Sequence, residues 1–153
     1  MIVKKVRREI VDKPKTWQIG DLVDYIRFPH NKNPQEKVAH AGSRNFLTST
    51  HNGQKMEMIA LAEESVHSNM PVQHWIFSWQ EGEQPTREQV DEAVDIFLDH
   101  MGLTGHQTVY GLHYDTDNYH LHIAVNRMNE EGGDLWSKTS YLIWEMYWSA
   151  MIR

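Results

Sequence analysis

Apolar and polar positions alternate most regularly between Val109 and Asn126, in two short runs joined by the polar tetrapeptide Asp115-Thr116-Asp117-Asn118. Asp and Asn tolerate turn backbone and hydrogen-bond to it, so the pattern predicts a β-hairpin with Thr116 and Asp117 at its tip. Successive side chains of a strand face opposite ways. One face then carries Val109, Gly111, His113, His120, His122, Ala124 and Asn126, and the other Tyr110, Leu112, Tyr114, Leu121, Ile123 and Val125. A tip at 116 and 117 sets His113 opposite His120, with His122 two residues along on the same face.

Met1 to Val6 reads as a first strand with Ile2 and Val6 turned inward. From Trp17 to Phe28 the apolar residues Ile19, Leu22, Val23 and Ile26 recur at helical spacing, with Tyr25 at the margin of the stripe and Pro29 ending the helix. Residues 29–53 are polar and turn-rich, which predicts a long loop with one short strand around Val38 to His40. A helix over Gln54 to Glu64 follows. After Pro71, Val72, His74, Ile76 and Ser78 alternate with Trp75, Phe77 and Trp79, the signature of a strand. Thr86 is an N-cap for a helix running to about His100 and stopped by Gly102, and a last helix is expected from Ser140 to Ile152. The sum is a single α+β domain over residues 1–153: a mostly antiparallel central sheet with helices on one face. The hairpin's apolar face meets those helices, so the histidine face is expected to lie open.

The chain of 153 residues can bury a core without staples, and its lack of cysteine excludes disulfides and thiolate metal sites. The N-terminus lacks the apolar core of a signal peptide, and no apolar run approaches membrane-spanning length, so a cytoplasmic location is expected. The net charge of −6 argues against a polyanionic partner, but its distribution is lopsided. Residues 1–55 hold 11 Lys/Arg against 5 Asp/Glu, whereas residues 56–153 hold 4 against 16. A basic first third suits phosphate while acidic helices face water. The plainer reading is that Lys4, Lys5, Arg7 and Arg8 solubilise an edge strand.

His113, His120 and His122 on one sheet face can converge on one cation, and three protein ligands leave positions open for chemistry. Imidazole serves Zn, Mn, Fe, Ni and Cu, while phosphate chemistry recruits Mg or Mn, so ligand type alone does not name the ion. Asp115, two residues beyond His113, is placed to accept an imidazole N–H. Asp115-Thr116-Asp117 imitates the start of a calcium loop, but Tyr119 and His120 stand where Asp/Asn and Gly are needed. There is no H-E-x-x-H helix and no phosphate-cradling glycine loop. The other histidines do not cluster; His74 reaches the site only if its strand neighbours the hairpin.

The segment H-x-D-x-D-N-Y-H-x-H-x-x-x-N that starts at His113 resembles the third motif of MOBP-type relaxases, in the superfamily of HUH endonucleases. The resemblance extends to H-W-I-F-S-W-Q-E-G-E-Q-P from His74, the acidic helix after it, and G-L-T-G-H-Q before the hairpin. Leu22-Val23-Asp24-Tyr25-Ile26 is similar to the family's first motif, which carries a nucleophilic tyrosine. On spacing alone Tyr25 is equally a boundary aromatic on an amphipathic helix. The resemblance implies a palm-like relaxase domain at the N-terminus of a longer protein, which nicks and religates one DNA strand at a plasmid origin of transfer through a 5′-phosphotyrosyl intermediate. It implies Tyr25 as nucleophile, a divalent metal (Mn or Mg ahead of Zn or Ni) on His113, His120 and His122, and Ser68 or Ser65 as the second motif's DNA-contacting serine. Tyrosine activation has two routes open to it: the cation and Lys/Arg residues could lower its pKa, and Asp115 or an unligated histidine could take its proton. Lys4 and Arg7 from the basic third, with Asn126 on the histidine face, are candidate DNA contacts; Asn126 is otherwise a polar residue on an open sheet. Trp17, Trp75 and Trp79 are candidate stacking platforms. Expected partners are single-stranded DNA, accessory DNA-binding proteins, a coupling protein and a type IV secretion apparatus. The alternatives are a replication-initiator or transposase-type HUH nuclease, a His-ligated metal hydrolase or oxygenase with Tyr25 structural, and a binding module without catalysis.

Overall fold

A computed structural model of the chain describes residues 1–7, 12–65, 70–115 and 118–129. Five strands, β1 (Ile2–Lys5), β2 (Lys37–Arg44), β3 (Val72–Ser78), β4 (His106–Tyr114) and β5 (Tyr119–Asn129), form one sheet in the order β1-β3-β5-β4-β2. Every neighbouring pair is antiparallel. The helices are α1 (Lys15–Arg27), α2 (His51–Glu63) and α3 (Arg87–Met101), with a short 3-10 turn at Pro29–Asn31. The α+β class and the antiparallel sheet are as the sequence predicts. The β4–β5 hairpin has the expected register, with Tyr114 opposite Tyr119 and His113 opposite His120. The tip residues 116 and 117 and the expected helix from Ser140 to Ile152 lie outside the described residues.

The expectation of helices on one face is corrected. α3 packs Val90, Val94, Phe97 and Leu98 against Tyr110, Leu112, Leu121, Ile123 and Val125, together with Trp75 and Phe77 of β3. α1 and α2 cover the opposite face, the histidine face, where Ile19, Leu22, Val23, Ile26, Met58 and Ala62 meet Val72, Val109 and Ala124. Each of the three helices has apolar residues to bury, and Val72, Val109 and Ala124 supply a second apolar floor that the histidines obscure in the sequence. The histidine face is therefore not open: His113 is fully buried and His122 nearly so.

Two strand readings also change. In β1, Val3 rather than Ile2 turns onto the α3 core, and Ile2 stays 69% exposed. The polar stretch 29–53 contains the eight-residue strand β2, longer than the expected Val38–His40. α3 follows its sequence closely: Thr86 and Gln89 form a reciprocal capping box, and Gly102 ends the helix at φ 69°. No helix among the described residues is long and apolar enough to cross a membrane.

Candidate active site

The site forms where the last turn of α1 meets the hairpin. Gly111 of β4 makes that approach physical: a Cβ there would lie 2.6 Å from the Ile26 carbonyl oxygen, so only glycine lets the helix end sit this low on the sheet. The Ile26 carbonyl accepts a hydrogen bond from His113 Nε2 at 2.7 Å, which ties α1 to the hairpin. Asp24 holds the same turn to α2, accepting from Lys55 Nζ at 2.9 Å and lying 2.7 Å from His51 Nε2. Arg27 adds a contact to Gln54. Burial opposes the charge on Asp24, but Lys55 and His51 outweigh it and hold its carboxyl below the ordinary range.

Held this way, the Tyr25 ring is 5.3 Å from both the His113 and His122 rings, edge-on to each. Its hydroxyl donates to the Glu36 carboxylate, 3.1 Å from Oε2 and 3.4 Å from Oε1. Burial first, and the Glu36 charge and hydrogen bond second, push the phenol up to about 12. Glu36 Oε1 also faces His113 Nδ1 at 3.2 Å. Nε2 of His113 gives a proton to the Ile26 carbonyl, so Nδ1 either donates a second proton to Glu36 or presents a lone pair to it. A lone pair and a carboxylate oxygen face one another at this distance only with a proton or a metal cation between them. Glu36, His113 and His122 offer donor atoms that all lie within 4.8 Å of one another. Burial first, and second the repulsion that any charge on His113, His74 or His120 would exert, push His122 down to about 2, so its imidazole is neutral and free to ligate. The donor set fits a divalent metal.

His120 stands directly across from His113, half-buried, with Nδ1 3.0 Å from the Ser78 hydroxyl. It is not within the close group of donors, whereas Glu36 is. His74 does reach the site, because β3 pairs with β5: its Nε2 lies 2.9 Å from His122 Nδ1. Asp115 is exposed at the hairpin end, and the positions beside both His113 nitrogens are taken by Glu36 and Ile26. Asn126 is fully buried; its amide donates to the Met58 carbonyl and Gln107, and its oxygen accepts from the Met128 N–H. That residue ties α2 to the sheet and offers no surface to a ligand. Lys4 and Arg7 are exposed. Ser68 lies outside the described residues. Trp75 is buried in the α3 core and Trp79 packs against it, while Trp17 remains 49% exposed.

Glu36 is the residue that sequence reasoning does not find. Its only signal is its position just before β2, whose pairing with β4 sets Lys37 opposite Tyr114 and Val38 opposite His113.

A nuclease-domain family described as relaxase, MobA/VirD2-like, matches residues 25–149, well over half of the chain. The chain is 57% identical over 74 residues to protein MobA of Acidithiobacillus ferrooxidans, covering 48% of this chain and 18% of that protein. It is also 29% identical over 130 residues to a protein TraI of Escherichia coli, covering 84% of this chain and 17% of that one. The chain thus spans less than a fifth of the length of these relatives. The extent of the family match, running from Tyr25 through the histidine hairpin, places the chain in the MobA/VirD2-like relaxase nuclease family.

Proposed function

We propose that this chain cuts one strand of DNA at an origin of transfer, with Tyr25 as nucleophile, and reseals it by the reverse step. The carrying observation is the Tyr25 hydroxyl, held 3.1 Å from a carboxylate whose other oxygen faces His113. In the forward step the Tyr25 oxygen bonds to phosphorus and the bond from phosphorus to the 3′ oxygen breaks. The products are a 5′-phosphotyrosine and a 3′-hydroxyl. The Tyr25 proton passes to Glu36, and the departing 3′ oxygen takes up a proton from solvent, to which Glu36 later returns its own. The new ester keeps the energy of the old one, so the step is reversible.

His113, His122 and Glu36 would hold a divalent ion, Mn or Mg ahead of Zn or Ni, with His120 as the neighbour that completes the three-histidine set. When bound, such an ion polarises the non-bridging phosphate oxygens and favours the phenolate. The chain's own share is positional. Gly111, Ile26 and Asp24 fix the helix end that presents Tyr25, so the attacking oxygen is poised before substrate arrives. Single-stranded DNA is the proposed substrate, within a longer protein that works with accessory DNA-binding proteins, a coupling protein and a type IV secretion apparatus.

A labelled single-stranded oligonucleotide carrying the transfer-origin sequence tests this. With divalent metal the protein should form a covalent adduct, and Tyr25→Phe should abolish it. An adduct formed equally well by Tyr25→Phe would remove Tyr25 from the role.

A further inference from the structure

His74 enters the site from β3, and no step of the proposed cleavage uses it. It stands opposite Ala124, two residues along β5 from His122, and so is the diagonal neighbour of His122 on the same sheet face. The two rings are 5.2 Å apart and tilted by 31°, and both residues are buried, at 8% and 5% exposure. Their facing nitrogens, Nε2 of His74 and Nδ1 of His122, are 2.9 Å apart. At that distance one nitrogen donates a proton and the other accepts it. On its other side the His122 ring lies against His113, with centroids 4.4 Å apart.

We infer that His74 is a positioning residue for the metal: it accepts the Nδ1–H of His122, which fixes that ring and leaves its lone pair on Nε2. The inference rests on the metal reading of the site. The reverse arrangement, with His74 donating, would put the His122 proton on Nε2 and leave that nitrogen no lone pair for a cation. Metal-bound histidines ordinarily give their second N–H to a carboxylate, a carbonyl or water. Here a neutral imidazole fills that place. It orients the ligand without adding negative charge to a site that already holds Glu36.

The test uses the full chain and two readouts, neither involving DNA. His74→Leu keeps a similar bulk but no acceptor, and His74→Gln restores an amide oxygen. In calorimetric titration with Mn²⁺, His74→Leu should weaken binding by roughly 10- to 100-fold, and His74→Gln should recover most of it. Nitrogen-15 histidine NMR of the metal-free protein at neutral pH should show His122 with its proton on Nδ1 in the wild type and in His74→Gln. His74→Leu should lose that preference. Unchanged Mn²⁺ affinity in His74→Leu, no Mn²⁺ binding by the wild type, or an Nε2–H tautomer in the wild type would each overturn the proposal. Should His74→Leu fail to fold, the wild-type tautomer decides alone. A chain that binds Mn²⁺ as described yet cuts no strand would overturn the nuclease reading and leave this one standing.

Discussion

Glu36 gives one carboxylate oxygen to the Tyr25 hydroxyl and turns the other towards His113 Nδ1. Burial first and this carboxylate second hold the phenol up at about 12. Glu36→Gln removes the charge and the strong acceptor but leaves the burial. Both lost contributions raise the value, so the Tyr25 midpoint should fall below about 12 yet stay above the roughly 10 of a free tyrosine. Spectrophotometric titration referenced to Tyr25→Phe reads this, and an unmoved midpoint would contradict the contact. The same substitution should weaken divalent-metal binding, since a neutral amide oxygen replaces an anionic one. At this scale the histidines are legible and Glu36 is not. Strand parity puts His113, His120 and His122 on one face from spacing alone. Glu36 sits in a polar stretch without any period, and only the fold brings it to them. Asn126 shows the limit of parity: it names the face but not whether a helix covers that row, and α2 does.

The seat of α1 on Gly111 decides whether Tyr25 meets the histidines, so it is the element-scale test of the site. In Gly111→Ala the new methyl would press on a backbone carbonyl, which cannot swing aside as a side chain can. The helix end must shift, at a stability cost of about 1–3 kcal/mol, and the His113 contact to Ile26 is strained with it. Strand cutting should fall by roughly 100-fold, because a displacement of about 1 Å at a reacting atom costs that much. Gly20→Ala on the same helix is the matched control. Its Cβ would meet only the Lys55 side chain at 3.8 Å, so it should stabilise α1 by roughly 0.5–1 kcal/mol and leave cutting intact. Thermal unfolding and the adduct assay separate the two; equal activity in both variants would mean that the seat does not position Tyr25. Elements with a clean period or a cap, α1, α3 and the hairpin, are legible in the sequence. β2 is legible only as the short stretch Val38–His40, because a bulge between those two residues reverses its alternation and hides its full length. Val38 therefore faces the His113 side, while His40 turns to the α3 side and meets Asp91 at 2.7 Å.

Across the molecule, α1 and α2 cover the end of the histidine face that carries Val72, Val109 and Ala124, and leave the other end less covered. There, on the same face, β1 contributes the exposed Ile2 and Lys4, and β3 and β5 contribute the half-buried Ile76, Ser78 and His120. Lys4 pairs with Ile76, which pairs with His122, so two strand spacings, about 10 Å, separate the Lys4 and His122 backbones. A DNA strand crossing β1 on its way to Tyr25 would pass Lys4, with Arg7 just beyond the end of the strand. The sequence shows the basic excess of the first third but cannot say which of its cations are already spent. The structure separates some of them: Lys32 is paired with Asp21 at 2.6 Å, Lys55 with Asp24 and Arg44 with Asp95. Each phosphate contact on single-stranded DNA contributes about 0.7 to the slope of log affinity against log salt. Lys4→Ala and Arg7→Ala should therefore each flatten that slope by about 0.7, and weaken binding to all oligonucleotide sequences alike. Lys32→Ala should leave it nearly unchanged. Fluorescence anisotropy across a salt series distinguishes these outcomes. A slope that responds to Lys32 and ignores Lys4 and Arg7 would move the DNA path off the β1 edge and return those two residues to the role of solubilising an edge strand.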